Sequence, residues 1–310
     1  MGNLNYKLVV GMIMISFFFL IAVFGPSLAP YSVDETAEVK YISTDEGRKL
    51  SAPPFPPSKE HIFGTDQWGY DILTLLLYGA KYTFFTVIIV AFLRVLIGGA
   101  LGIFVALKRN PLNTRINDNT KIKVNIFSGF PVFIILYFIL IRINIEPVLN
   151  PLTLSFIAGS LMVILGIMSV YDNVYSKTIE VQRNLYITAS QALGGNKIHI
   201  AKRHIIPSIK SQVLIIFMNE VIQVLHLIGQ LGIFNLFFGG TYIRMDPPVF
   251  ISITKEWAGL IGQFRSTIYY YQWILFYPLL SYLLLLFSFY LLSQGVIKQE
   301  KINQRKTPIL

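Results

Sequence analysis

The chain contains no cysteine, which removes a disulfide framework, a thiolate zinc site, an iron–sulfur cluster and a cysteine nucleophile. Charge is also scarce. Asp, Glu, Lys and Arg make up 14% of the 310 residues, where soluble domains carry about a quarter. No G-x-x-x-x-G-K-[ST] phosphate loop is present, so this chain does not bind and split ATP by that machinery. H-E-x-x-H is missing too, and the histidines at 61, 199, 204 and 226 are dispersed. No catalytic, cofactor-binding or metal site is expected in this chain. Disorder and fibrous repeats are excluded by composition, and no internal repeat is evident.

Hydrophobic residues reach 54%, with 24 Phe and 17 Tyr, and the mean hydropathy is +0.59. A helix crossing the hydrocarbon core needs about 20 mostly apolar residues. Six stretches meet or approach that length: Leu8 to Phe24, Tyr82 to Leu107, Val124 to Ile141, Val148 to Tyr171, Val213 to Phe238 and Tyr271 to Ile297. Their only charges are Arg94 and Glu220. Barrel strands would show alternating segments of about 10 residues instead. The expected fold is therefore an all-α integral membrane protein with six transmembrane helices.

With both termini placed in the cytoplasm, the inner segments hold 16 basic and 4 acidic residues, and the outer segments 9 basic and 11 acidic. That asymmetry follows the positive-inside rule. It accounts for most of the net charge of +10 without a nucleic-acid partner. The first apolar run could also be a cleaved signal peptide ending near Ser27-Leu28-Ala29, but Pro30 disfavours cleavage there, and it is read as a retained anchor.

Four units follow: residues 1–25, a tail and first span; 26–81, a polar outer segment; 82–297, a five-helix core; and 298–310, a basic cytoplasmic tail. The outer segment carries six of the 15 prolines and eight of the 16 acids. Pro53, Pro54, Pro56 and Pro57 enforce extended backbone, Gly64-Thr65-Asp66 reads as a turn and helix cap, and Ile72, Leu73, Leu76 and Leu77 form a short interfacial helix. Within the core, the inner loop 172–212 shows helical spacing up to Leu193, a break at Gly194-Gly195, then a second short helix capped by Asn196 and ended by Pro207. Two readings stand on periodicity alone: a knob that docks on a cytoplasmic partner, or a basic loop held by anionic lipid.

Thr188-Ala189-Ser190, Gly194 and Pro207 fall at the spacing of the E-A-A-x3-G-x9-I-x-L-P coupling motif, which this loop resembles, of ATP-binding cassette (ABC) importer permeases. Thr188 stands in place of the glutamate and Ser190 in place of an alanine. A second stretch, His61-Ile62-Phe63-Gly64-Thr65-Asp66 with Gly69, Asp71 and Tyr78-Gly79-Ala80, resembles the segment before span two of dipeptide and oligopeptide permeases, with Tyr70 where an arginine is usual. The likeness, to the second permease of the pair, covers most of Pro54 to Gly295.

The resemblance implies a type I ABC importer permease fold in a bacterial plasma membrane. It implies a heterodimer with a second homologous permease, two cytoplasmic cassette ATPase subunits that hold ATP and Mg, and an extracytoplasmic solute-binding protein. Thr188, Ala189, Ser190, Gly194, Gly195 and Pro207 would couple this chain to the ATPase. Peptides are the leading substrate, with metal chelates second.

Span five adds a pattern that spacing makes specific. Asn219, Gln223, His226 and Gln230 recur at 4, 3 and 4, which stacks them on one face, and Glu220 adjoins them. A polar stripe is disfavoured against lipid, so it meets neighbouring helices or lines a translocation path. Arg94 and Glu220 either pair or line water. Counted from the inner ends of their apolar runs, they sit at about 20 and 10 Å depth, an awkward separation for a salt bridge. A secondary transporter driven by an ion gradient remains an alternative, with Gly129 and Pro131 as a hint of a broken span. A membrane enzyme or scaffold is the remaining class.

Overall fold

The computed structural model describes residues 5–44, 47–109, 131–245 and 248–306. Its helices are α1 (Tyr6–Leu28), α2 (Ile72–Lys108), α3 (Val132–Asn144), α4 (Pro151–Gln182), α5 (Leu185–Ala192), α6 (Lys197–Ile200), α7 (Ile206–Ile233), α8 (Trp257–Phe264) and α9 (Gln272–Lys306). Two antiparallel hairpins accompany them: β1 (Lys40–Thr44) with β2 (Gly47–Ser51), and β3 (Thr241–Arg244) with β4 (Val249–Ser252). Five helical stretches are long and apolar enough to cross a membrane, and α3 is a shorter apolar helix. The expected start of the third span, 124–130, and most of the inner loop before it lie outside the described residues.

The helices pack around α2, α4, α7, α8 and α9, with α1 laid against α2 and α9. Outward faces stay apolar, with Ile13, Phe17, Leu152, Phe156, Phe138 and Leu283 all exposed. Such a surface suits lipid as the solvent, because the backbone groups are satisfied inside each helix. This is a multi-pass membrane protein with the mostly helical architecture read from its apolar runs, to which the two short hairpins are added.

Several element boundaries differ from the sequence reading: α9 continues to Lys306 through most of the expected separate tail, and three further differences bear on the site. First, residues 72–77 are not a separate interfacial helix: α2 runs unbroken from Ile72 to Lys108. Its start is set by Asp71, whose Oδ2 accepts the Thr74 N–H at 2.8 Å and the Thr74 hydroxyl at 2.9 Å. Asp66 is not the cap; its Oδ1 accepts the N–H groups of Trp68 and Tyr70 and shapes the preceding turn.

Second, the first helix after Gly-Gly does not stop before Pro207. A π-helical turn at Ala201–Ile205 carries α6 into α7, so the helical run spans Lys197–Ile233. Pro207 lies in the first turn of α7, where a missing N–H costs little. Third, α4 extends beyond the bilayer-length run to Gln182. The loop 172–212 is therefore mostly helix.

Candidate functional site

The charged residues of the spans meet at the junction of α2, α4 and α7. Arg94 Nη1 donates to Glu220 Oε2 at 2.9 Å, and Nε and Nη2 donate to the Met162 carbonyl at 2.9 and 2.6 Å. The two side chains are only 3% and 7% exposed. The depth mismatch disappears because α7 starts at Ile206 rather than Val213. Arg94 is 14 residues from Lys108 and Glu220 is 14 from Ile206, about 21 Å along each helix. Gly166 makes the room: a Cβ there would lie 2.1 Å from Arg94 Nε. Neither Met162 nor Gly166 stands out in an apolar sequence, since one contributes only a carbonyl and the other only space.

The polar stripe faces the other way. Asn219, Gln223, His226 and Gln230 are all exposed, whereas Glu220, Val221, Val224, Leu225 and Ile228 of the same helix are buried. Asn219 Oδ1 accepts the Ser293 hydroxyl at 3.3 Å. Arg94 and Glu220 therefore brace the interior of this chain, and the four amide and imidazole groups form an open face at membrane depth. The structure brings the first two together and does not bring them to the stripe.

The Gly-Gly elbow is built by a helix C-cap. Gly194 has φ +84, and the Gly195 N–H donates to the Ser190 carbonyl at 2.9 Å, the six-to-one bond that closes a helix at a left-handed glycine. Asn196 Oδ1 then accepts the His199 N–H at 2.7 Å and starts α6. Thr188, Ala189, Gly194 and Pro207 are exposed and Ser190 and Gly195 half-buried. Leu185, Leu193 and Ile198 are 87%, 89% and 66% exposed, so the knob presents apolar tips among Arg183, Lys197, Lys202 and Arg203. Its base is anchored by buried Ile187, Ile200, Ile205 and Ile209 against Val170, Val174 and Val181 of α4. A push on the elbow would therefore reach α4 and α7 together.

At the opposite end a clamp absent from the sequence reading joins α2 to α8. The Trp257 N–H donates to Thr83 Oγ1 and its indole to the Leu76 carbonyl, both at 2.9 Å. Gly79 permits the approach, since a Cβ would lie 1.8 Å from the Lys255 carbonyl. Glu256 caps α8 through the Ala258 N–H, and its burial pushes its carboxyl up to about 7. Trp257 and Gly79 were visible in the sequence, but only the fold pairs positions so far apart. Nearby, the His61-to-Asp71 stretch closes on itself through His61 Nδ1 and Asp71 Oδ1 at 3.0 Å, with Gly64 and Gly69 at φ +77 and +90.

Comparison with known proteins points the same way as these residues. A family model for the N-terminal TM domain of oligopeptide transport permease C matches residues 5–54. The oligopeptide transport system permease protein OppC of Bacillus subtilis is 24% identical over 295 residues, covering 94% of this chain and 84% of that protein. The dipeptide transport system permease protein DppC of Alkalihalophilus pseudofirmus is 27% identical over 302 residues, with the same coverage. DppC of Bacillus subtilis is 24% identical over 211 residues, 68% of this chain and 58% of that one. These relatives are transport permeases, and they bear out the resemblance carried by the two motifs.

Proposed function

We propose that this chain is a permease subunit of an ATP-driven ABC importer for peptides or a related small solute, and that it forms half of the translocation path. The observation that carries the reading is the open face of α7. Four polar side chains in register at membrane depth are a stable arrangement only against a second polar surface or water. A homologous permease facing Asn219, Gln223, His226 and Gln230 would supply that surface and enclose the path between the two chains. The stripe carries amides and one imidazole but no carboxylate or ammonium, which suits passage of peptides of varied charge.

Binding and hydrolysis of ATP with Mg are assigned to two separate cassette ATPases, consistent with the missing phosphate loop. Leu185, Leu193 and Ile198 would seat in such a subunit around the Gly194-Gly195 elbow, with Thr188 lending a neutral contact where the coupling motif it resembles has a glutamate. Closure of the ATPases would shift α4 and α7 as a unit and alternate access to the stripe. A solute-binding protein would deliver substrate at the end that carries residues 26–71.

Uptake of a radiolabelled peptide mixture by cells carrying Gln223→Leu with His226→Leu tests the path. About an eightfold fall in uptake is expected if two contacts of about 0.6 kcal/mol each are lost, with the ATPase subunits still co-purifying. Undiminished uptake would remove the stripe from the path.

A further inference from the structure

We propose that the slot between α2 and α4, on the half of the bundle nearest the 26–71 segment, holds one acyl chain of an anionic phospholipid whose phosphate sits at Lys81. The slot encloses about 270 Å³ and is walled by Phe85, Ile89 and Leu93 of α2 and Phe156 and Gly159 of α4. Lys81 closes one end, half-buried beside the Tyr82 ring. Among the described residues no carboxylate pairs with it.

Helix packing explains why the slot exists and where it ends. Towards the inner half, a Cβ at Gly98 would lie 2.8 Å from the Ile167 carbonyl, and one at Gly102 would lie 3.0 Å from the Tyr171 carbonyl. These glycines let α2 and α4 touch backbone to backbone. Towards the other end, Gly159 meets only Val90 Cγ2, at 3.6 Å, and the helices stand apart.

The dimensions select the occupant. From Lys81 to Leu93 the slot runs 12 residues, about 18 Å, against about 15 Å for half of the hydrocarbon core. A transmembrane helix of a partner would need a groove across both leaflets, whereas this one spans a single leaflet. Its lining is mostly apolar, with Thr86, Ser155 and Ser160 as neutral polar members, and its one charge is a lysine at the end where a lipid phosphate would lie. A lipid seated there would bridge α2 and α4 beside the Arg94 junction.

The full-length chain in detergent, titrated with phosphatidylglycerol or phosphatidylcholine and read by native mass spectrometry, tests the proposal. One tightly retained lipid is expected, with phosphatidylglycerol preferred about fivefold, the ratio expected for one lysine near an anionic headgroup. Gly159→Leu should expel the lipid by filling the slot. Lys81→Gln should keep a bound lipid and level the two headgroups, and this exchange carries the test by itself should the leucine variant fail to fold. Equal retention of both lipids by the parent chain, an unchanged preference in Lys81→Gln, or full retention in folded Gly159→Leu would overturn the proposal.

Discussion

Glu220→Gln isolates the ion pair at the centre of the bundle. The substitution keeps the side chain's size and one acceptor oxygen, but it leaves the Arg94 guanidinium, 3% exposed, without its counter-charge. The remaining partner of Arg94 is the neutral Met162 carbonyl. Breaking a buried pair at one end costs about 3–5 kcal/mol, and an unpaired arginine at a helix centre costs about 2.5–3.5 kcal/mol on insertion scales, so the two routes overlap at about 3–3.5 kcal/mol. Arg94→Met should cost a similar amount, because it strands Glu220. The double variant has no uncompensated charge and should lose much less than the sum of the two. Reversible unfolding in mixed detergent micelles, with the added mole fraction of sodium dodecyl sulfate as denaturant, measures all three. A Glu220→Gln variant within about 0.5 kcal/mol of the parent, or an additive double variant, would show that Arg94 and Glu220 are not coupled in this way.

Two further outcomes follow from packing and burial. Gly79→Ala should lower stability by about 1–3 kcal/mol through overpacking against the Lys255 carbonyl, whereas Gly99→Ala, with nothing within 4 Å of its Cβ, should be neutral or stabilising by up to about 1 kcal/mol; the same unfolding assay compares them. Burial pushes the folded Glu256 carboxyl from its ordinary 4.5 up to about 7, so between those pH values the folded chain binds the extra proton and stability falls as pH rises. Buried Asp66, likewise pushed up to about 7, adds a slope of the same sign, so Glu256→Gln should lessen the slope without abolishing it, and an unchanged slope would show that Glu256 does not contribute.

Much of the architecture was legible because a bilayer imposes a length on apolar runs. The spacing of Asn219, Gln223, His226 and Gln230 marked one face of α7, and Asn196 marked a helix start that the structure confirms through the His199 N–H. What sequence concealed was continuity. Hydropathy ends a span where polarity rises, but helical hydrogen bonding continues past that point, as in α2 from Ile72 and through the π-helical turn before Pro207. That seven-residue error in the start of α7 produced the apparent depth mismatch of Arg94 and Glu220. Long-range fits, such as Trp257 on Thr83 or Arg94 over Gly166, depend on tertiary placement that local pattern does not encode.

On the permease reading, the Gly194-Gly195 elbow is cytoplasmic and bears on a motor protein. Because the native chain has no cysteine, Leu193→Cys introduces a single thiol without background, at a site 89% exposed. A membrane-impermeant maleimide should leave it unlabelled in intact cells and label it after permeabilisation, and a short bifunctional maleimide should join it to a nucleotide-binding subunit. Labelling in intact cells, or no linked subunit in membranes that retain ATP-driven uptake, would contradict the claim.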